Sequence, residues 1–587
     1  MLVVATAGHV DHGKSALVRA LTGTEPDRLA EERRRGLTIE LGHVWTTLPS
    51  GRRLAVVDVP GHADYVRTML AGVVPLRTVL LVVAADEGWS AQTAEHVAAL
   101  DALGIRQGLV IVTKVDLAGP GPVADDVRER LVGTSLAGLP VLPVSARTGE
   151  GMGALVAALD GLGVPEEPDD RTRLWVDRVF TVRGAGTVVT GTLASGRLAA
   201  GDAVLVGGRP GRVRRLESLG SVVEEAVAPA RVAVNLRDLD ADVLRRGEAL
   251  VRPGDWWSTR LVDVGTDRDL DPPTHAVLHV GSGAPPVRVR PLGPRLLRLA
   301  LDADVPLSVG DRAVLRDPGL RQVVAGVTVL DPDPPELRGR GAAARRATAL
   351  ADDPTGLAGA VRRRGVLAAD HARRLGLPAA AVAAAAGEDA AAIDGVEAVG
   401  AHLVDPALLA DLAATLRDRA TAARRADPTD AGPPAAAVAH EHGVPLAVVL
   451  EAAARAGLHT SGGRVALPAA RDLGPHEEAV ATLERRLAAD PYDAPTRPEL
   501  AGLGLDDRVL AAAERAGRLV RLAPDVVLLP GALDEAGDRL AALDPPWSLA
   551  EARVALGTSR RVALAVCTDL DRRRVTRHLP DGRREPR

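Results

Sequence analysis

Gly8-His9-Val10-Asp11-His12-Gly13-Lys14-Ser15 decides the reading of this chain. It follows a short apolar run, Met1-Leu2-Val3-Val4-Ala5-Thr6-Ala7, and opens a helix-forming stretch. That is the phosphate loop, GxxxxGK[ST], between strand and helix. Its glycines let backbone N–H groups turn inward, and the helix N-terminus adds a favourable potential for anions. Lys14 is placed to reach the β- and γ-phosphates, and the Ser15 hydroxyl to ligate Mg²⁺. Composition strengthens the point. Lys and Arg together number 72, and only Lys14 and Lys114 are Lys, so 72 − 2 = 70 are Arg. Arg replaces Lys freely on a solvated surface, but not where a compact point charge is needed.

Working outward, four further motifs follow in order. Thr38, in Arg35-Gly36-Leu37-Thr38-Ile39, suits a second Mg²⁺ ligand on a loop that senses the γ-phosphate. Asp58, in Asp58-Val59-Pro60-Gly61, ends a strand and would hold the metal through water, with the Gly61 N–H on the γ-phosphate. Thr113-Lys114-Val115-Asp116 supplies a carboxylate for the guanine N1–H and exocyclic amine. Adenine has an acceptor at N1 and would leave that carboxylate unpaired, which favours GTP over ATP. Ser145-Ala146-Arg147 would put backbone amides of Ser145 and Ala146 near the guanine O6. His62, directly after Gly61, can orient the attacking water. The histidines beside the loop have neither the spacing nor the carboxylate partners of a metal site. The expected ligands are GTP or GDP with Mg²⁺, in contact with Asp11, His12, Gly13, Lys14, Ser15, Asp58, Gly61, Thr113, Lys114, Asp116, Ser145 and Ala146.

The rest of the chain changes character twice. Strands near 2–7, 54–58, 79–84, 109–113 and 141–144 predict an α/β domain with a parallel sheet over 1–168. Pro165-Glu166-Glu167-Pro168-Asp169-Asp170 reads as a linker. Val-rich runs with Gly and Pro turns then predict two antiparallel β-barrels, 171–255 and 256–332. Asp331-Pro332-Asp333-Pro334-Pro335 marks another boundary. Beyond it an Ala-rich, mostly helical region repeats loosely from Leu377, Val444, Leu505 and Thr558. Each repeat pairs an apolar helix with a hairpin-like tail, which fits winged helices over 340–408, 409–472, 473–532 and 533–587.

Net charge is −5 over 587 residues, so any nucleic-acid contact must be local. From Arg560 to Arg587 there are nine Arg and four acids, a net of +5. Gly557-Thr558-Ser559-Arg560-Arg561 opens a helix whose amides can take a phosphate while Arg560 or Arg561 reads a base. Arg572, Arg573, Arg574 and Arg577 fall on or near the wing, and the alternation of Val562, Leu564, Val566 and Leu570 predicts a folded unit. The single Cys, Cys567, excludes an internal disulfide framework and suits a reducing cytoplasm. No basic leader precedes the first strand, and Val79–Ala85 is far short of the ~20 residues of a membrane span.

Gly8–Lys14, Arg35–Ile39 and Asp58-Val59-Pro60-Gly61-His62 together resemble the translational GTPases of the elongation factor Tu type. Three features are similar to the selenocysteine-specific branch: Ala5–Ser15 with Asp27-Arg28-Leu29 and Gly36–Gly42; Thr113 where most relatives have Asn; and Asp177–Gly191 with the long tail. The resemblance implies Val10 and Leu37 as an apolar gate beside His62, and Asp11 as a ligand for a monovalent cation. It implies a selenocysteine pocket at Asp177, Arg178 and Arg231. It also implies a monomer whose partners are selenocysteyl-tRNA, the ribosome and an mRNA hairpin at a recoded UGA. A pocket of fixed Arg charges suits the anionic selenol over neutral serine. The alternatives are a translational GTPase with other aminoacyl-tRNA cargo, or a regulatory GTPase subunit of a metabolic enzyme.

Overall fold

The computed structural model describes residues 1–26, 38–62, 65–163, 169–184, 186–320, 322–386, 394–468 and 473–587. These fall into two compact units, one of Met1–Val396 with Ala401–Leu403, the other of Glu397–Gly400 with Val404–Arg587.

The first unit begins with strand β1 (Leu2–Ala7), followed by helix α1 (Lys14–Thr22). Then come β2 (Gly42–Thr47), β3 (Arg53–Asp58), α2 (Val66–Val73), β4 (Thr78–Ala84), α3 (Ala91–Ala102), β5 (Gln107–Thr113), α4 (Gly121–Leu131), β6 (Val141–Pro143) and α5 (Met152–Asp160). The sheet order is β2-β3-β1-β4-β5-β6. β1, β4 and β5 are buried on both faces, as their unbroken apolar runs require in a sheet covered by helices. One core packs Val3, Ala5, Val57, Leu81 and Val83 against Met69, Leu70, Val97 and Leu100. The opposite face packs Val4, Val56 and Leu80 against Leu17, Val18, Leu155 and Leu159.

The sheet is not all parallel. β2 pairs antiparallel with β3, Gly42 opposite Asp58 and Thr47 opposite Arg53, through a tight turn in which Gly51 N–H donates to the Leu48 carbonyl. Strand β2 escaped the sequence reading because it is an edge strand in which only Gly42 and Val44 are buried.

Two barrels follow. In the first, Arg173–Val182 pairs antiparallel with Gly186–Ser195 and with Ala249–Val251. Gly186–Ser195 continues to Ala230–Arg237, then Arg209–Ser218, then Ala203–Val206, which returns to Ala249–Val251 and closes the ring. The second is a closed antiparallel barrel of six strands between Ser258 and Asp331. Here the expected boundary at Asp331 becomes something else. Asp331 is buried, and its carboxylate accepts from Arg346 and Arg364. Arg346 also binds buried Asp263, which Arg298 grips twice. This ion network ties helices Ala342–Ala351 and Leu357–Arg364 to the barrel wall.

The second unit repeats one theme. Helices Ala435–His442 and Leu446–Arg455 lead into hairpin strands His459–Ser461 and Arg464–Ala466. Helices Arg497–Gly502 and Asp507–Arg515 lead into Val520–Ala523 and Val526–Leu528. Helices Leu549–Ala555 and Arg560–Arg572 lead into Thr576–His578 and Arg584–Pro586. Each is a helix-turn-helix with a β wing. The last two share one core, in which Leu483, Tyr492, Leu510 and Val526 pack with Trp547, Val562, Val566 and Leu570. The Thr558 hydroxyl donates to the Tyr492 carbonyl at 2.8 Å, and the Tyr492 hydroxyl to the Ala532 carbonyl at 3.1 Å. Leu564 departs from the expected apolar alternation, being 47% exposed.

Candidate nucleotide, pocket and RNA sites

The phosphate loop runs from β1 into α1, and two close contacts require glycine in it at Gly8 and against it at Gly61. A Cβ on Gly8 would lie 2.1 Å from the Val82 carbonyl oxygen. A Cβ on Gly61 would lie 2.4 Å from Lys14 Nζ and 2.6 Å from the Val10 amide nitrogen. The segment after β3 is thus pressed onto the loop. Lys14 is buried, and its ammonium donates to the carbonyls of Gly8 at 3.0 Å and His9 at 2.7 Å.

The three expected Mg²⁺ ligands converge. Ser15 Oγ donates to Asp58 Oδ2 at 2.7 Å and lies 3.1 Å from Thr38 Oγ1. Asp58 is fully buried, which pushes its carboxyl up, while a bond from Thr6 Oγ1 and the charge of Lys14 pull it down. Three hard oxygen donors beside a phosphate loop fit Mg²⁺. Leu37, Arg35, Gly36 and Asp27 to Leu29 lie outside the described residues, so the expected gate is seen only at Val10, which is partly buried. His62 is partly buried too, its ring centroid 5.9 Å from that of Tyr65.

The expected guanine residues are tied to the phosphate loop. Thr113 Oγ1 donates to the His12 carbonyl at 2.6 Å, a tether from β5 across to the phosphate loop. Asp116 accepts from Ser145 Oγ at 2.6 Å and from Arg147 Nε at 2.9 Å. The Ser145 bond and the Arg147 charge hold its carboxyl below the usual range. The Ser145 loop was expected to offer backbone amides; it also brings the Ser145 hydroxyl and the Arg147 guanidinium to Asp116. Lys114 is held by Asp86 at 3.2 Å and Glu87 at 2.7 Å.

Sequence reasoning missed His96. From α3, its Nδ1 accepts the Gly8 amide at 2.8 Å, fixing the start of the phosphate loop. Burial pushes its pKa down to about 3, and that of buried His12 down to about 4. Both are neutral at pH 7. A lone His on an amphipathic helix carries no sequence signal that marks it.

The pocket residues come together in part. A register shift between Val176 and Arg178 interrupts their pairing with Gly186–Ser195 and turns Asp177 inward. Asp177 is buried and accepts from Arg231 Nη1 and from Thr190 Oγ1 at 2.8 Å. Arg231 also donates to Thr192 Oγ1 at 3.0 Å, and its Nη2 lies 3.0 Å from His43 Nε2. Burial works to raise the Asp177 carboxyl, but Arg231 and His43 hold it below its usual value. Arg178 diverges from them. It donates to the Leu41 carbonyl at 2.8 Å and pairs with Glu40 at 3.2 Å. His43 was invisible in the sequence for the same reason as β2, the strand that carries it.

In the last winged unit, Ser559 caps helix Arg560–Arg572, accepting the Val562 amide. Arg561 does not stand free to read a base. Its guanidinium donates to the carbonyls of Asp525 and, at 2.7 Å, Ala494, which binds this helix to the preceding unit. Arg572 and Arg573 both pair with buried Asp569, and Arg577 with Glu585. Arg560 and Arg574 are exposed.

A P-loop nucleotide domain followed by two six-stranded barrels defines a class, that of the GTP-binding translation elongation factors. Residues 1–163 match the elongation factor Tu GTP-binding domain. Residues 258–336 match the β-barrel domain of the selenocysteine-specific elongation factor, and 538–584 a winged helix of elongation factor SelB. Elongation factor Tu 2 of Streptomyces avermitilis is 38% identical over 284 residues, 43% of this chain and 72% of that protein. The chain belongs to the elongation factor Tu family. The selenocysteine-specific elongation factor of Desulfomicrobium baculatum is 39% identical over 353 residues, 56% of each chain. That of Escherichia coli is 38% identical over 343 residues, 57% of this chain and 56% of that one. The match thus spans a little over half the length of these relatives. A crystal structure of a bacterial selenocysteine-specific elongation factor shares the fold, with TM-score 0.75 at 22% identity over 100% of this chain and 99% of that one.

Proposed function

We propose that this protein is a GTPase that delivers selenocysteyl-tRNA to the ribosome at recoded UGA codons, in the cytoplasm and as a monomer. The observation that carries the reading is the cluster of buried Asp177 and Arg231 with half-buried His43. An elongation factor that accepts many amino acids has no need of a buried cation there, whereas an anionic selenol would take Arg231 and His43 as donors. Serine, neutral and short, would bring no charge to them.

In this reading the domains are the nucleotide domain (1–168), the barrels (171–255 and 256–332) and winged helices over 340–408, 409–472, 473–532 and 533–587. GTP sits on the loop from Asp11 to Ser15, with Asp116 on the guanine and Thr113 bracing the two ends. Ser15, Thr38 and Asp58 would hold Mg²⁺, which neutralises charge on the β- and γ-phosphates. Lys14 leaves the Gly8 and His9 carbonyls for the phosphates. Gly61 offers its N–H to the γ-phosphate, and His62 orients the water that attacks it. Arg560 and Arg574, with Arg572, Arg573 and Arg577 after exchange of their carboxylate partners, meet the mRNA hairpin. The reading is tested by translating, in a purified system, a message with an in-frame UGA and its hairpin. Full-length product should need this protein, selenocysteyl-tRNA and the hairpin together. Equal product without the hairpin would refute the recoding role.

A further inference from the structure

The first unit holds a cavity of about 580 Å³ that the nucleotide and cargo sites leave unused. Its floor is the starting ends of the parallel strands with the residues just before them: Met1 to Val3, Val74 to Thr78 and Leu103 to Gln107. The phosphate loop leaves the other end of those strands, so the two sites lie at opposite edges of the sheet. The remaining walls come from both barrels, chiefly Arg171, Arg173, Trp256 and Ser308 to Arg312.

Its charge is lopsided. Five Arg and two Asp line it: Arg77, Arg106, Arg171, Arg173 and Arg312 against Asp169 and Asp311. The acids are already committed. Arg171 binds Asp169 and donates to Ser308 Oγ at 2.8 Å. Arg173 grips Asp311 with both terminal nitrogens, at 2.6 and 2.8 Å. Both guanidiniums lie over the Trp256 ring, 4.1 and 4.0 Å from its centre, so this wall is rigid. Arg173 is 9% exposed, yet its Nε meets no acceptor. Arg77, Arg106 and Arg312 have no carboxylate partner among the described residues. Arg312 lies flat against the turn before β5, where a Cβ on Gly104 would come within 2.5 Å of its Nη1.

Three unpaired guanidiniums from two domains, facing one roomy cavity, repel one another in the absence of an anion. We propose that this cavity binds a short multivalent phosphate chain, of the pyrophosphate or triphosphate class. Guanidinium forks match phosphate oxygens bidentately, and one linear polyanion can reach Arg77 and Arg106 on the nucleotide domain and Arg312 on the barrel together. Bound there, it clamps the nucleotide domain to the barrels at the edge farthest from the nucleotide.

The test is calorimetric titration of inorganic tripolyphosphate into the full chain, with GDP and Mg²⁺ in excess to fill the nucleotide site. The expected result is one anion per chain, weakened by salt. Arg106→Ala and Arg312→Ala should each weaken it roughly tenfold or more, and Arg288→Ala, exposed on the barrel outside the cavity, should not. The arginines replaced are exposed, so the variants keep their cores, which thermal melting checks directly. Absence of saturable binding would overturn the proposal. So would binding that survives the Arg106→Ala/Arg312→Ala double variant, or that disappears with Lys14→Ala instead.

Discussion

Arg147 reaches across to Asp116, its Nη2 at 2.8 Å and Nε at 2.9 Å from the same carboxylate oxygen. Ser145 Oγ takes the other oxygen at 2.6 Å. The carboxylate that is to read guanine is therefore ionised, oriented and already hydrogen-bonded. In the proposed reading guanine would share or displace the Arg147 bond. That bond is exposed and so worth little, whereas the guanine contact is specific. Asp116→Asn should weaken GTP roughly 10²-fold or more and favour xanthosine triphosphate, because the new amide faces the xanthine 2-oxo group. Arg147→Ala should change GTP affinity less than about fivefold. Competition binding with the three nucleotides checks both. An Asp116→Asn protein that binds GTP like the parent would remove Asp116 from the guanine site.

His62→Ala should leave GTP affinity intact and slow ribosome-stimulated hydrolysis by roughly 10²-fold or more. Single-turnover phosphate release measures this without interference from product dissociation. An unchanged rate would mean the attacking water is oriented by another group.

The two buried histidines set an acid limit. His12 and His96 are neutral in the folded state, with pKa values of about 4 and about 3. In the unfolded chain each titrates near 6.5. Their folded values are depressed, so the unfolded state binds more protons below pH 6.5. Stability from these groups is complete above that pH and falls as pH drops toward 4. The slope is at most about 1.4 kcal/mol per pH unit for each group. Denaturant melts of the parent and of His96→Gln from pH 7 to 4.5 should show a shallower loss in the variant. Parallel curves would show that His96 does not contribute to the acid sensitivity.

The winged units set where the chain can be cut. A cut near residue 535, which the sequence repeats invite, would split the core in which Tyr492 packs with Trp547 and Val566. A cut before Leu473 keeps both units of that core together on one side. The fragment from Leu473 should fold alone and bind the mRNA hairpin; the fragment ending near 535 should aggregate. Within the fragment from Leu473, Arg574→Ala should reduce the salt slope of hairpin binding by about one unit, and Arg560→Ala should lower sequence preference. Arg561→Ala should lower the melting temperature instead, since its fork holds the Asp525 and Ala494 carbonyls. Hairpin affinity unaffected by Arg560→Ala and Arg574→Ala would place the RNA contact elsewhere.

Much of this architecture was legible because its signals are local. The phosphate loop, Asp58 and Asp116 are motif residues at strand ends, where backbone geometry leaves little choice. Buried strands such as Thr78–Ala84 announce themselves by unbroken apolarity. What stayed hidden depends on partners distant in sequence. Strand β2 is half-exposed, so His43 went unread with it. Asp331, in a Pro-rich stretch that reads as a domain boundary, is buried because Arg346 and Arg364 come back to meet it. The terminal Arg cluster could be counted, but not how much of its charge Asp569, Asp571 and Glu585 already neutralise.

The most direct test of the central claim is equilibrium binding of the GTP-loaded protein to one tRNA body charged with either selenocysteine or serine. The account predicts a strong preference for the selenocysteyl form. It also predicts that Arg231→Ala weakens that form by roughly 10–150-fold, the value of a charge-assisted hydrogen bond, with seryl-tRNA and GTP affinities little changed. Because Arg231 neutralises buried Asp177, the Asp177→Asn/Arg231→Met pair is measured beside it to separate loss of recognition from loss of fold. Equal affinity of the parent protein for the two charged tRNAs would contradict the account.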